Sequence, residues 1–224
     1  MAAPSSTRPP SAPIVPLVDP TAEQDHRTRL IHAMVAAATE RGYADATIAD
    51  VVRHAHVSKR TFYEHFPDKE SCFLAAYLAV AAELLARIAT ASAQETGIEE
   101  RIVAAARAYF AALEERPQLT RTFLSDIHAA GPKALELRRR IHQQFADTLR
   151  HLVDAERVHL PGVRPLSREM ATAIVGGINE LILLAFDEGR GERLHEVADA
   201  AIQLVFAVLK TLPEDANPRL PIPR

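Results

Sequence analysis

The predicted fold is all-α, with nine helices in 224 residues. Three observations predict it. Apolar residues recur at three- and four-residue spacings from about residue 22 to residue 212, no run alternates in twos, and proline or glycine falls where the periodic stretches end. With 48% apolar and 25% charged residues the chain has ample material for a core. No stretch approaches the roughly 20 uncharged apolar residues of a membrane span, so no membrane partner is expected. The N-terminus has no continuous apolar segment of the secretory kind. The single cysteine, Cys72, forbids an internal disulfide and a Cys-rich metal site. The cytoplasm is the expected compartment.

Taken in order, residues 1–20 hold six prolines and read as a disordered tail. The first helix should run from about Ala22 to Arg41, with Thr21 and Gln24 as a capping box, an apolar stripe of Leu30, Ile31, Met34, Val35 and Ala38, and Gly42 as its stop. Thr47 caps a second helix, Ile48 to His54. "AHV" allows only a tight turn before Ser58 caps a third. The fourth starts at Pro67 or Asp68 and reaches about Ala91. Gly97 and Pro117 bound a fifth, Ile98 to Arg116, and a sixth covers Gln118 to about His128. Pro132 occupies the first turn of a seventh that extends to Val158. The eighth spans Ser167 to Glu188, the ninth Glu192 to Leu212, and residues 213–224 form a second proline-rich tail.

Residues 56–71, "HVSKRTFYEHFPDKES", carry the most chemistry per residue. Three short helices, the second and third joined by a three-residue turn, have the size of a helix-turn-helix unit, whose third helix lies in the major groove of DNA. On a helical wheel Val57, Phe62 and Phe66 turn inward, while Lys59, Arg60 and Tyr63 share the outer side and Thr61 pairs with His65. Arginine can bond a guanine edge through two hydrogen bonds, whereas lysine, hydroxyls and a tyrosine tip suit phosphate oxygens. The helix starts at Thr47 and Lys69 can offer amides to further phosphates. The formal charge of −3 does not advertise a polyanion partner. However, residues 51–63 contain Arg53, Lys59 and Arg60 and no acid, and screening lets such a spot act locally.

"TIADVVRHAHVSKRTFYEHFPDKESCFLAAY" resembles the helix-turn-helix of the TetR family of transcriptional repressors, with "VS..TFY.HF..K" as the most specific part; the resemblance covers roughly residues 28–78. It implies a helix-turn-helix domain over 21–67, a helical effector-binding and dimerisation domain over 68–212, and a homodimer on a double-stranded DNA operator. It also implies that Thr47, Ser58, Thr61, Tyr63, His65 and Lys69 meet phosphates while Lys59 and Arg60 help to read bases. His56 departs from the pattern, since the family has Gly there; either His56 takes a positive φ or the turn is adjusted. Glu64, four residues after Arg60, can pair with it and draw it from the groove.

The eighth helix, "IVGGINELILLAFDEG", is apolar in every direction and so is expected to be buried on every side. A second copy of the chain would supply the extra surface. The candidate dimer residues are Ile174, Ile178, Leu181 and Ile182, with Ala201, Leu204, Val205 and Val208 on the ninth helix. Tyr77, Tyr109, Phe110, Phe123, Phe145 and the polar Asn179 are candidate lining residues of an effector pocket, which would suit an apolar or amphipathic small molecule.

No catalytic residue, cofactor or metal is expected. "ERVH" (Glu156, His159) and "ERLH" (Glu192, His195) have the Glu-x-x-His spacing of di-iron bundles, but both sit at helix ends rather than in mid-helix. A di-metal enzyme is therefore one alternative. A small-molecule or lipid-binding helical bundle without DNA binding is the other.

Overall fold

The structure is a computed structural model that describes residues 26–157 and 165–210. Among these residues there are nine α-helices: α1 (His26–Asp45), α2 (Ile48–Ala55), α3 (Lys59–His65), α4 (Lys69–Ala93), α5 (Ile98–Glu114), α6 (Pro117–Ser125), α7 (Pro132–Arg157), α8 (Arg168–Asp187) and α9 (His195–Lys210). A 3₁₀ turn, Asp126–Ala130, follows α6. The Thr21–Gln24 capping box, both proline-rich tails and the 158–164 connection lie outside the described residues.

Local chemistry sets most boundaries. The regular turns of α1 break at Gly42, where φ is 74° and ψ 166°; glycine adopts this backbone without a Cβ clash. The Thr47 hydroxyl accepts the Asp50 N–H at 3.2 Å while Asp50 Oδ2 accepts the Thr47 N–H at 3.1 Å, closing a capping box at α2. Ser58 accepts the Thr61 N–H at 3.0 Å, Asp68 the Ser71 N–H at 2.7 Å and Ser167 the Met170 N–H at 3.1 Å. Two boundaries differ from expectation. The sixth helix tightens to 3₁₀ after Ser125 because Ile127 and Ala130 must both reach the core. The ninth starts at His195 instead of Glu192, since the preceding turn inserts Leu194 fully into the interior.

The largest apolar cluster joins Leu30, Met34, Val51 and Phe62 to Phe73, Tyr77, Phe123 and Leu137. It therefore runs across the expected boundary at residue 67, from the helix-turn-helix into the body of the chain. Phe62 is fully buried there, worth about 2–3 kcal/mol by area. Two further clusters hold the body together: Ile102, Val153, Ile174 and Val205, and, beside it, Phe110, Leu124, Ile182 and Leu194. The helices α4 and α8 are long and apolar enough by composition to cross a membrane. Core helices pass the same test, and α4 packs against α1, α5 and α7.

Within one chain α8 is not buried on every side. Ala171, Ile174, Asn179, Ile182 and Ala185 face inward, whereas Met170 and Leu184 are 43% and 49% exposed.

Candidate nucleic-acid interface and interior cavity

The turn before α3 places a non-glycine residue at positive φ, where histidine is among the better tolerated. His56 sits at φ 52° and ψ 46°, the left-handed region, so the first of the two alternatives at this position is the one adopted. Its N–H donates to Arg53 O and the Val57 N–H to Val52 O, the pair of bonds that closes a helix C-terminus. Arg29, reaching across from α1, donates to the carbonyls of Ala55 and His56. This guanidinium replaces the missing helix bonds and fixes the angle between α2 and α3. Sequence reasoning overlooked it because its partners lie 26 and 27 residues away.

The outward side of α3 is populated as the wheel predicts. Lys59 and Arg60 are exposed, Tyr63 is 56% exposed, and Phe62 and Phe66 are buried. The Ser58 and Thr61 hydroxyls lie 3.0 Å apart at the start of the helix, and His65, half-buried, meets the His26 ring edge-on. Arg60 Nε donates to Glu64 Oε1 at 3.2 Å, the expected pairing, yet the Arg60 side chain remains 90% exposed. An exposed pair of this kind is worth at most about 1 kcal/mol and exchanges readily for another acceptor. Arg53 is less available, lying within 3.6 Å of Asp50 and 3.8 Å of Glu40.

Lys69 points elsewhere. Its Nζ donates to the carbonyls of Tyr43 at 2.9 Å, Ala44 at 3.2 Å and Ala46 at 2.9 Å, and lies 4.4 Å from the Tyr43 ring centroid. An ammonium has three protons, so all are spent on the end of α1. Burial pushes its pKa down. This geometry gives Lys69 a task other than the implied phosphate contact: the side chain ties the start of α4 to the corner between α1 and α2.

A cavity of about 190 Å³ lies among α4–α9. Of the candidate pocket residues, Tyr77, Tyr109, Phe123, Phe145 and Asn179 line it. Phe110 does not: it packs with Leu113, Leu124 and Ile182 in the neighbouring cluster, because adjacent helical residues point about 100° apart. His142, on α7, is a lining residue that sequence reasoning missed. The Asn179 side-chain amide donates both to Val175 O at 3.0 Å and to His142 Nε2 at 3.1 Å. An imidazole nitrogen that accepts is unprotonated, so His142 is neutral with its proton on Nδ1. Burial, assisted by the Arg138 charge, pushes its pKa down to about 4.

At the mouth of the cavity Arg87 is chelated by both oxygens of Glu115 at 2.7 Å and donates to Glu83 at 2.9 Å; Arg116 lies 3.6 Å from Glu83. Beside them His32 of α1 buries its Nε2 without a partner, and burial and the Arg116 charge lower its pKa. The network thus abuts the first helix of the helix-turn-helix.

The candidate dimer residues divide. Ile174, Ile182, Ala201 and Val205 are at most 6% exposed inside the chain's own core, so these four are corrected to core positions. Ile178, Leu181, Leu204 and Val208 are half-buried. Of these, Ile178 lines the cavity and packs against both body clusters, whereas Leu181, Leu204 and Val208, with Met170, Ala173 and Leu184, edge the open side of α8 and α9; Gly176 lies on the same side with no atom of the chain near its missing Cβ. Of the Glu-x-x-His pairs, Glu192 precedes α9 and His195 bonds Glu114 instead; His159 lies outside the described residues. Cys72 is fully buried, donates weakly to Leu30 O, and has its thiol pKa pushed up to about 12 by burial, a structural and unreactive setting.

Residues 30–76 match the family model of bacterial regulatory proteins, tetR family. No curated protein matches the sequence. Among solved structures, the fatty acid degradation regulator FadR from Bacillus halodurans is similar with a TM-score of 0.72 and 16% identity, over 86% of this chain and 100% of that one. FadR from Bacillus subtilis, in complex with stearoyl-CoA, gives 0.64 and 14% over 82% and 98%. A TetR-family transcriptional regulator from Pectobacterium atrosepticum gives 0.64 and 23% over 84% and 95%. Residues 30–76 are a TetR-family helix-turn-helix segment, and the chain as a whole has the fold of TetR-family transcriptional regulators.

Proposed function

We propose that this protein is a cytoplasmic, homodimeric repressor that binds an operator in double-stranded DNA and is released by a small apolar or amphipathic molecule. The observation that carries the reading is the joint presence of a cationic, exposed α3 and an apolar cavity, with α3's Phe62 and the cavity's Tyr77 and Phe123 in the same apolar cluster. The working division is a reading head up to residue 67 and an effector and dimerisation body from residue 68. In the complex Lys59 and Arg60 would face base edges, while Thr47, Ser58, Thr61, Tyr63 and His65 would meet phosphates. Two copies joined along the open side of α8 and α9 would present two such helices to half-sites about one to one and a half turns apart, at roughly 34–36 Å per turn.

The link from cavity to DNA has a physical basis. Phe123 lines the cavity and stacks on Phe73 and Tyr77, while its neighbour Thr122 donates to Ala38 O of α1 at 3.3 Å. A ligand that fits the cavity in only one arrangement of α4 and α6 would shift the population of α1 positions, and only such a difference in affinity can release DNA. The stearoyl-CoA held by the Bacillus subtilis neighbour makes acyl thioesters one class of effector to try. Selection of bound fragments from genomic DNA, followed by a screen for compounds that release them, tests the reading. An unenriched pool, or a chain that stays monomeric at micromolar concentration, would sink it.

A further inference from the structure

The inner wall of the cavity carries hydrogen-bonding groups but no charge. Tyr77 and Tyr109 line it, and neither phenol is hydrogen-bonded to a described residue. Their pKa values are pushed up by burial, that of Tyr77 to about 12. Both amide protons of Asn179 are committed to Val175 and His142, which leaves its Oδ1 as an acceptor and the His142 Nδ1–H as a donor. The charged lining residues, Glu83, Arg87, Glu115 and Arg116, are at the mouth and neutralise one another. Arg138 approaches Tyr77 and His142 from α7, its buried Nε unbonded to any described residue, but it stands behind the wall and does not line the cavity. An ionised group carried inside would lose its hydration with no opposite charge on the wall to replace it. Size sets a second limit: a 150 Å³ apolar cavity holds benzene, so about 190 Å³ suits one ring or a short chain.

We infer that the cavity takes an uncharged molecule, one ring or a short chain in its apolar part, with a single hydroxyl or carbonyl seated among Tyr77, Tyr109, His142 and Asn179. This deepens the effector reading above and rests on it. A hydroxyl can both donate to Asn179 Oδ1 and accept from a phenol or from the His142 Nδ1–H; a carbonyl can only accept from those donors, and a hydrocarbon can do neither.

Calorimetric titration of the full-length protein at pH 7.5 with 1-octanol, octanoate and octanoyl-CoA separates the possibilities. The expectation is that 1-octanol binds at least tenfold more tightly than either anion. Tyr109→Phe and Asn179→Ala should each weaken 1-octanol by about two- to tenfold, the size of one hydrogen bond, and leave naphthalene unchanged. Each variant's melting curve reports whether it folds. Tighter binding of octanoate or octanoyl-CoA would overturn the uncharged class and move recognition to Arg138 or to the mouth, with the effector reading intact. Equal losses for 1-octanol and naphthalene would overturn the hydrogen-bonding seat alone. If none of the three ligands binds, the inference falls, while the effector reading stands or falls on the release screen above.

Discussion

Replacing Lys69 by methionine keeps the aliphatic stem and removes the ammonium that closes the end of α1. Each bond from a charged donor contributes about 1.5–3 kcal/mol, and the cation over the Tyr43 ring about 0.5–1 kcal/mol. The gross value cannot be carried over whole. The Ala44 carbonyl is exposed and regains water, and the lowered pKa of Lys69 records a desolvation cost that the substitution relieves. The Tyr43 and Ala46 bonds are part-buried, so the net loss should be about 2–4 kcal/mol, or on the order of 5–15 °C in Tm for a chain of this length. Thermal unfolding by circular dichroism measures that loss, and operator affinity at several salt concentrations measures the rival role. A lysine on a phosphate contributes about one unit to the slope of log affinity against log salt, whereas a structural lysine leaves that slope unchanged in protein that is still folded. An unaltered Tm together with a slope reduced by about one unit would refute the argument.

Three further outcomes follow from the same coordinates. Arg60→Ala should cost about 1–3 kcal/mol on the preferred operator and relax base choice, while Tyr63→Phe weakens all sequences alike; equal losses on every sequence for both would refute that division of labour. His56→Gly should raise stability by about 0.5–1 kcal/mol, since the left-handed backbone at φ 52° strains any residue with a Cβ, and a lowered melting temperature would show that the imidazole contributes more than the strain costs. Stability should fall as pH drops from about 6.5 towards about 4, because His142 is held neutral in the folded protein and takes up a proton more readily once unfolded. For one proton the slope cannot exceed about 1.4 kcal/mol per pH unit, and partial exposure reduces it. His142→Gln should flatten the profile only in part, since His32 is shifted in the same direction; denaturant melts across this pH range read the difference.

What could be read from the sequence was whatever depends on partners a few residues away. Thr47, Ser58, Pro132 and Ser167 mark helix starts because a cap bonds an amide two or three residues on, or because proline needs no bond there. The outward set on α3 was legible for the same reason, a period of 3.6 acting over seven residues. Direction across the fold was not. Lys69 and Arg29 each find partners more than twenty residues away, and a lysine aimed at a helix end has the same sequence signature as one aimed at a phosphate. On α5, Tyr109 and Phe110 are equally aromatic, and only the packing around them decides that Tyr109 lines the cavity and Phe110 does not. On α8, uniform apolarity could not distinguish the residues that fill the chain's own core from those left for a second surface.

These long-range ties join the 47 residues that match the family model (30–76) to the body of the chain. Arg29 locks the end of α2 to α1, Lys69 locks the end of α1 to α4, and the Phe62 ring fills the space between them. In the proposed reading the head would move as a unit with α4 as its lever: one end carries Lys69 against the α1 corner, while Tyr77, Val80 and Leu84 further along form cavity wall. A small rotation of α4 imposed at the wall would then be delivered at the corner without deforming the helix-turn-helix. The two ends have different requirements, since the corner must stay rigid and the wall must be free to change its ligand. That difference is why the polar groups at the corner are fully bonded and the phenols in the cavity are not.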